Sequence, residues 1–261
     1  MADKAKGRFV WYDLLTTDPD QAVNFYTKVV DWGTTQWGDG AEGMPPYTMW
    51  TANNAPLGGV MPLPEEAKKM GAPPHWLPYI GTPDTDATAA RAQQLGGRLL
   101  NGPMDIPTVG RFAVLQDPQG AVFAVFTAEG DAPGHEGEPK VGEFSWNELT
   151  TTDYEGAFKF YSELFGWEKD TAMDMGPQGI YQMYKRNGQM LGGMMNKPAE
   201  MPGPPAWLCY TRVADVAESV AEAKRNGGQI LLEPMEVPGG DMIAVGMDPQ
   251  GAAFALHARK K

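Results

Sequence analysis

The chain has 261 residues, 42% of them apolar and 21% charged, with a formal net charge of −12 and a single cysteine. That length supports one or two domains with a sizeable core. So acidic a chain is repelled by phosphate backbones and anionic lipid, which argues against nucleic-acid and membrane partners. One thiol forms no internal disulfide, no apolar run approaches the roughly 20 residues of a membrane span, and the first residues lack an apolar signal region. A soluble, cytoplasmic protein is expected, and its 32 glycines and 23 prolines imply many tight turns.

In chain order, Phe9 to Leu14 reads as a buried strand. Asp18 is placed to cap a helix whose apolar residues Ala22, Phe25, Tyr26, Val29 and Val30 share one face. Tyr47 to Trp50 and Leu57 to Met61 follow as strands around an Asn53-Asn54 turn. Trp76 to Ile80 opens a second unit, with a helix from Asp84 to Leu95 that Gly96 ends in the left-handed position. Asp117-Pro-Gln-Gly120 fits a type I turn before the last strand.

The same series then recurs. Trp11-Tyr-Asp-Leu-Leu-Thr-Thr-Asp18 returns as Trp146-Asn-Glu-Leu-Thr-Thr-Thr-Asp153, Phe25-Tyr26 as Phe160-Tyr161, and Trp32 as Trp167. Leu57-Gly-Gly59 returns as Leu191-Gly-Gly193, Trp76-Leu77 as Trp207-Leu208, Gly96-Gly97 as Gly227-Gly228, and Asp117-Pro-Gln-Gly120 as Asp248-Pro-Gln-Gly251. An ordered series of matches is a tandem duplication. The expected domains are residues 1–130 and 142–261, joined by a Gly- and Pro-rich linker over 131–141 that carries an exposed bystander, His135. Each domain reads as α+β, a pair of βαβββ units.

These pieces resemble the vicinal oxygen chelate superfamily of glyoxalase I, bleomycin-resistance proteins and extradiol dioxygenases, and within it a tandem, two-domain glyoxalase-like subgroup. The resemblance implies curved, mostly antiparallel sheets forming cups. Where the superfamily holds a divalent metal, it does so with His, Glu or Gln on the first and last strands of a unit, because the cation needs several N or O donors converging on one site. Carried onto this sequence, those positions fall on Trp11 and Trp146, on His75 and Ala206, and on Ala124 and Ala255. One donor among six does not make a metal site, so no metal and no cofactor are expected.

Asp13 and Glu148 lie two residues beyond the Trp positions, on the same strand face, and are the candidate acid–base groups. His75 is the candidate partner for a carboxylate, against the blander reading of a strand-edge imidazole. Trp11, Tyr47 and Trp50, with Trp146, Tyr181 and Tyr184, are expected to line or border the cups as aromatic walls for a ligand. His257 shares the cup face but stands four residues from the end of the sequence, open to fraying. Trp32, Trp76, Trp167, Trp207 and Cys209 read as core.

The reading that follows is a metal-independent protein binding a small hydrophobic or planar molecule. It sequesters that molecule, or catalyses a cofactor-free isomerase-, lyase- or cyclase-type step. The alternatives are a metal-dependent glyoxalase or dioxygenase with non-standard ligands and a non-catalytic scaffold. A monomer acting as an intramolecular pseudo-dimer is expected. By analogy with swapped dimers, exchanged pairing of units is favoured, with His75 opposite Trp146 and Glu148.

Overall fold

The computed structural model describes residues 5–38, 47–198, 200–201 and 203–260. The first half contains β1 (Phe9–Thr16), α1 (Pro19–Val29), β2 (Gly33–Trp37), β3 (Tyr47–Ala52) and β4 (Ala55–Pro62), which make one βαβββ module. The short α2 (Glu65–Lys69) leads to a second module of β5 (His75–Gly81), α3 (Thr85–Gln94), β6 (Arg98–Ile106), β7 (Gly110–Gln116) and β8 (Val122–Ala128). The second half repeats this with β9 (Phe144–Thr151), α4 (Tyr154–Phe165), β10 (Glu168–Asp174), β11 (Ile180–Arg186) and β12 (Gln189–Asn196). Its last module is β13 (Ala206–Arg212), α5 (Val216–Arg225), β14 (Gln229–Glu236), β15 (Met242–Met247) and β16 (Ala253–Ala258).

Each half forms one open eight-stranded sheet. The strand orders are β2-β3-β4-β1-β5-β8-β7-β6 and β10-β11-β12-β9-β13-β16-β15-β14. Four helices start where an Asp side chain accepts a backbone N–H of the first turn: Asp18 from Gln21, Asp84 from Ala87, Asp153 from Gly156, and Asp215 from Ala217 and Glu218. Gly96 follows α3 at φ +92°, and Asn53 and Asn54 both take positive φ in the β3–β4 turn.

The chain also divides into two compact units that do not coincide with the sequence halves. One combines the stretch through Trp11 with Leu77–Gly137 and Trp146–Leu208. The other combines Tyr12–Trp76 with Glu138–Ser145 and Cys209–Lys261. In the first unit α3 packs on α4, and in the second α1 packs on α5, so helices from different halves share a core. Each sheet is nevertheless formed within one half, which corrects the exchanged pairing favoured from sequence. His75 belongs to the same sheet as Asp13, whereas Trp146 and Glu148 belong to the other.

The repeated motifs lock these cores. In the second unit the buried Tyr26 hydroxyl donates to Asp248 Oδ2 at 3.1 Å and accepts from Trp76 Nε1 at 3.1 Å. In the first, Tyr161 donates to Asp117 Oδ2 at 3.0 Å and accepts from Trp207 Nε1 at 3.2 Å. The other carboxylate oxygen of Asp117 caps its own turn, accepting from the N–H groups of Gln119, Gly120 and Ala121. Trp32 and Trp167 are buried, and each indole N–H donates at 2.7 Å to a glycine carbonyl, of Gly142 and Gly7 respectively. The Trp residues read as core are core.

The linker is held in place. Arg8 bonds the carbonyls of Ala132 and Pro133, and Glu138 pairs with Arg212 and Arg259. His135 is half-buried there, which corrects its reading as an exposed bystander.

Candidate functional site

The Leu-Gly-Gly motif builds the first feature. It lies in mid-strand, in β4 and β12. Gly58 lets β4 approach β1 closely, since a Cβ there would stand 2.2 Å from the Tyr12 carbonyl oxygen. Gly59 is a floor for Tyr47, because a Cβ would meet the Tyr47 hydroxyl at 1.9 Å. Asp13 stands opposite Gly59 in the parallel β1–β4 register, and the Tyr47 hydroxyl donates to its carboxylate.

The second half repeats the device with a longer acid. A Cβ on Gly193 would come within 2.2 Å of the Tyr181 ring, and Glu148 stands opposite Gly193. Tyr181 donates to Glu148 Oε2 at 2.9 Å and accepts from Trp146 Nε1 at 2.7 Å. The result is a directed chain, indole N–H to phenol to carboxylate, which orients the phenolic proton toward the acid. Exposure distinguishes the two copies. Asp13 is only 4% exposed, whereas Trp146, Glu148 and Tyr181 are each half-buried and keep part of their surface open.

The remaining residues divide. Trp11 is half-buried. Trp50 and Tyr184 correct the expectation that they line a cup, since both are fully buried. The Trp50 N–H is used by the Gly59 carbonyl at 2.8 Å, and the Tyr184 hydroxyl by the Asn147 carbonyl at 2.9 Å. Tyr184 also stacks on Trp167 with ring centroids 4.5 Å apart. Their strands alternate, and these side chains point to the helix-covered side. The half-buried His75 bonds the Pro73 carbonyl through Nδ1 at 2.7 Å, as a strand-edge imidazole would. Burial pulls its pKa below the ordinary histidine value, with the Pro73 bond opposing.

His257 is not frayed. It sits within β16, where Nδ1 meets Ser145 Oγ at 2.9 Å and Nε2 meets Asp241 Oδ2 at 3.0 Å. Neither partner was evident in the sequence. The available signal was that the first half has Val10 and Gly110 at the matching positions. Cys209 is buried, and burial pushes its thiol far above the ordinary range.

A cleft of about 530 Å³ opens in the second unit beside Lys28, Asp31, Val213, Glu218 and Arg225, and none of the residues expected from sequence lines it. Among the described residues, no three His, Cys, Asp or Glu side chains are grouped so as to hold a metal ion. None of the described helices is long and apolar enough to cross a membrane.

Two open sheets of duplicated βαβββ modules place the chain in a defined class. The sequence profile of the Glyoxalase/Bleomycin resistance protein/Dioxygenase superfamily matches residues 8–125 and 143–256, and the chain belongs to that family. It is 34% identical over 254 residues to "Putative glyoxylase CFP32" of Mycobacterium tuberculosis, covering 94% of this chain and 92% of that one. It is 30% identical over 264 residues to "Anthracycline biosynthesis protein DnrV" of Streptomyces peucetius, covering 97% and 93%. Among solved structures, the Mn(II)-bound glyoxalase from Novosphingobium aromaticivorans aligns over 97% of this chain and 82% of its own, at 18% identity and a TM-score of 0.62. At that identity the likeness shows the fold alone.

Proposed function

We propose that this chain binds a small planar or hydrophobic molecule without a metal, as a monomer that is an intramolecular pseudo-dimer, and that Glu148 is its principal acid–base group. The observation that carries the reading is the Trp146–Tyr181–Glu148 chain. It offers a half-exposed indole and phenol as apolar walls and ends in an oriented carboxylate able to take or return a proton. The buried Asp13, with the half-buried Tyr47, is the secondary copy.

The superfamily's metal positions support the metal-free part. Five of the six carry Trp or Ala, so the residues do not fit a divalent cation there. The relatives named for anthracycline biosynthesis support a planar, polycyclic ligand. Either sequestration or a cofactor-free proton transfer is served by these groups. No redox step is assigned to them, because a carboxylate and a phenol at rest move protons only.

The test is a titration of tryptophan fluorescence with a dihydroxyanthraquinone. Saturable quenching is expected, weakened at least about tenfold by Trp146→Ala and by Glu148→Gln, each replacing a group that touches the ligand. Affinity unchanged in both folded variants would remove this site.

A further inference from the structure

We propose that Ser145, His257 and Asp241 form a second reactive centre, at which the Ser145 hydroxyl accepts the acyl group of a small activated carboxylic ester. The proposal is independent of the Glu148 reading and uses none of its residues.

All three side chains lie in the second compact unit. Ser145 begins near the start of β9, His257 is held in β16, and Asp241 precedes β15. Asp241 is kept ionised. Burial raises its pKa, but the Lys260 N–H at 3.0 Å, the His257 hydrogen bond and the nearby Arg259 guanidinium outweigh burial and hold it below the ordinary aspartate value. An ionised carboxylate 3.0 Å from Nε2 must receive a proton from that nitrogen, which fixes the Nε2–H tautomer of a neutral ring. Nδ1 is then a lone pair, and the hydroxyl 2.9 Å away donates to it. The alternative acceptor for Ser145, the Tyr210 carbonyl, is farther at 3.3 Å.

Base, nucleophile and orienting acid thus stand in the order acyl transfer needs. The two ring nitrogens have exchanged roles relative to serine hydrolases, which the imidazole permits because either nitrogen serves as base when the other is the donor. The His257 side chain is 17% exposed and that of Asp241 35%, so the group is neither sealed nor dissolved in water. The fold does not demand it. The equivalent positions of the first half are Val10, Phe126 and Gly110, and Val10 and Phe126 are buried apolar residues.

The step balances with water as the co-reactant. Ser145 Oγ bonds the ester carbonyl carbon while its proton passes to His257 Nδ1. The bond to the leaving alcohol or phenol breaks, and that oxygen takes the proton from Nδ1. Water then attacks the acyl-serine by the same route, releasing the carboxylic acid and restoring the hydroxyl. Ser145 and His257 are catalytic in this scheme, and Asp241 is a positioning residue.

The experiment treats the full chain with a biotinylated alkyl fluorophosphonate and maps the adduct by peptide mass spectrometry, the serine oxygen displacing fluoride at phosphorus. One adduct at Ser145 is expected. It should be absent in Ser145→Ala, slowed about 100-fold or more in His257→Gln, and slowed less in Asp241→Asn. Circular dichroism establishes that each variant is folded. No adduct at Ser145, or equal labelling in folded His257→Gln, would each overturn the proposal.

Discussion

The Tyr26 hydroxyl donates to the Asp248 carboxylate at 3.1 Å across 222 residues of sequence. The equivalent pair, Tyr161 and Asp117, lies in the other compact unit. Each bond joins a helix of one half to the turn before the last strand of the other half, so the duplication is written into the core as two copies of one lock.

Tyr26→Phe and Tyr161→Phe should each destabilise the protein by about 1–3 kcal/mol. Each substitution leaves a buried carboxylate oxygen and an indole N–H without their partner. Urea unfolding of the two variants and the parent measures this. A loss under about 0.5 kcal/mol in both would mean that the lock contributes nothing net.

The same carboxyls make a prediction for pH. Burial raises Asp117 and Asp248 above the ordinary aspartate range, and the backbone N–H groups and Tyr hydroxyls only partly offset it. A carboxyl raised in the folded state binds its proton more tightly there than in the unfolded chain. Its contribution to stability is therefore fully present below the unfolded value of about 3.9 and is lost as pH rises through the folded value. Carboxyl carbon NMR should find both midpoints above the ordinary range, and Asp248→Asn should flatten that part of the stability profile. Midpoints at or below the ordinary range would mean that the hydrogen bonds outweigh burial at both carboxyls.

Gly193→Ala should disrupt the Glu148 site without touching an acid. A Cβ there would stand 2.2 Å from the Tyr181 ring, so the ring must leave the sheet and release Glu148 and Trp146. Overpacking of this kind costs about 1–3 kcal/mol. The expected result is a folded protein with weakened anthraquinone quenching and a changed tryptophan emission. Unaltered binding and emission would show that the Tyr181 position is dispensable.

These relationships differ in how far the sequence discloses them. The modules, the cap at Asp18, the turn at Asp117 and the structural Trp residues follow from local chemistry, because periodicity and capping act over a few residues. The placement of Trp50 and Tyr184 did not follow. Each lies on a strand with aromatic residues on both faces, and strand alternation alone does not say which face the helices cover. The role of Gly59 and Gly193 was hidden for a related reason. A glycine inside a strand signals a close approach, but not by which side chain. Ser145 and Asp241 were hidden because they meet His257 through register between distant strands. The exchange of helices between halves, with sheets formed within halves, is a property of topology that two copies of one motif series express equally in either arrangement.

Ligand binding without a metal is tested by repeating one titration under two metal conditions. The dihydroxyanthraquinone titration is performed on protein dialysed exhaustively against a strong chelator, and again after addition of Mn(II), Zn(II), Fe(II) or Ni(II). Saturable quenching is expected in the chelated protein, with a dissociation constant unchanged by any of the four cations. Binding that is absent after chelation and restored by one of them, with about one ion retained per chain, would contradict binding without a metal.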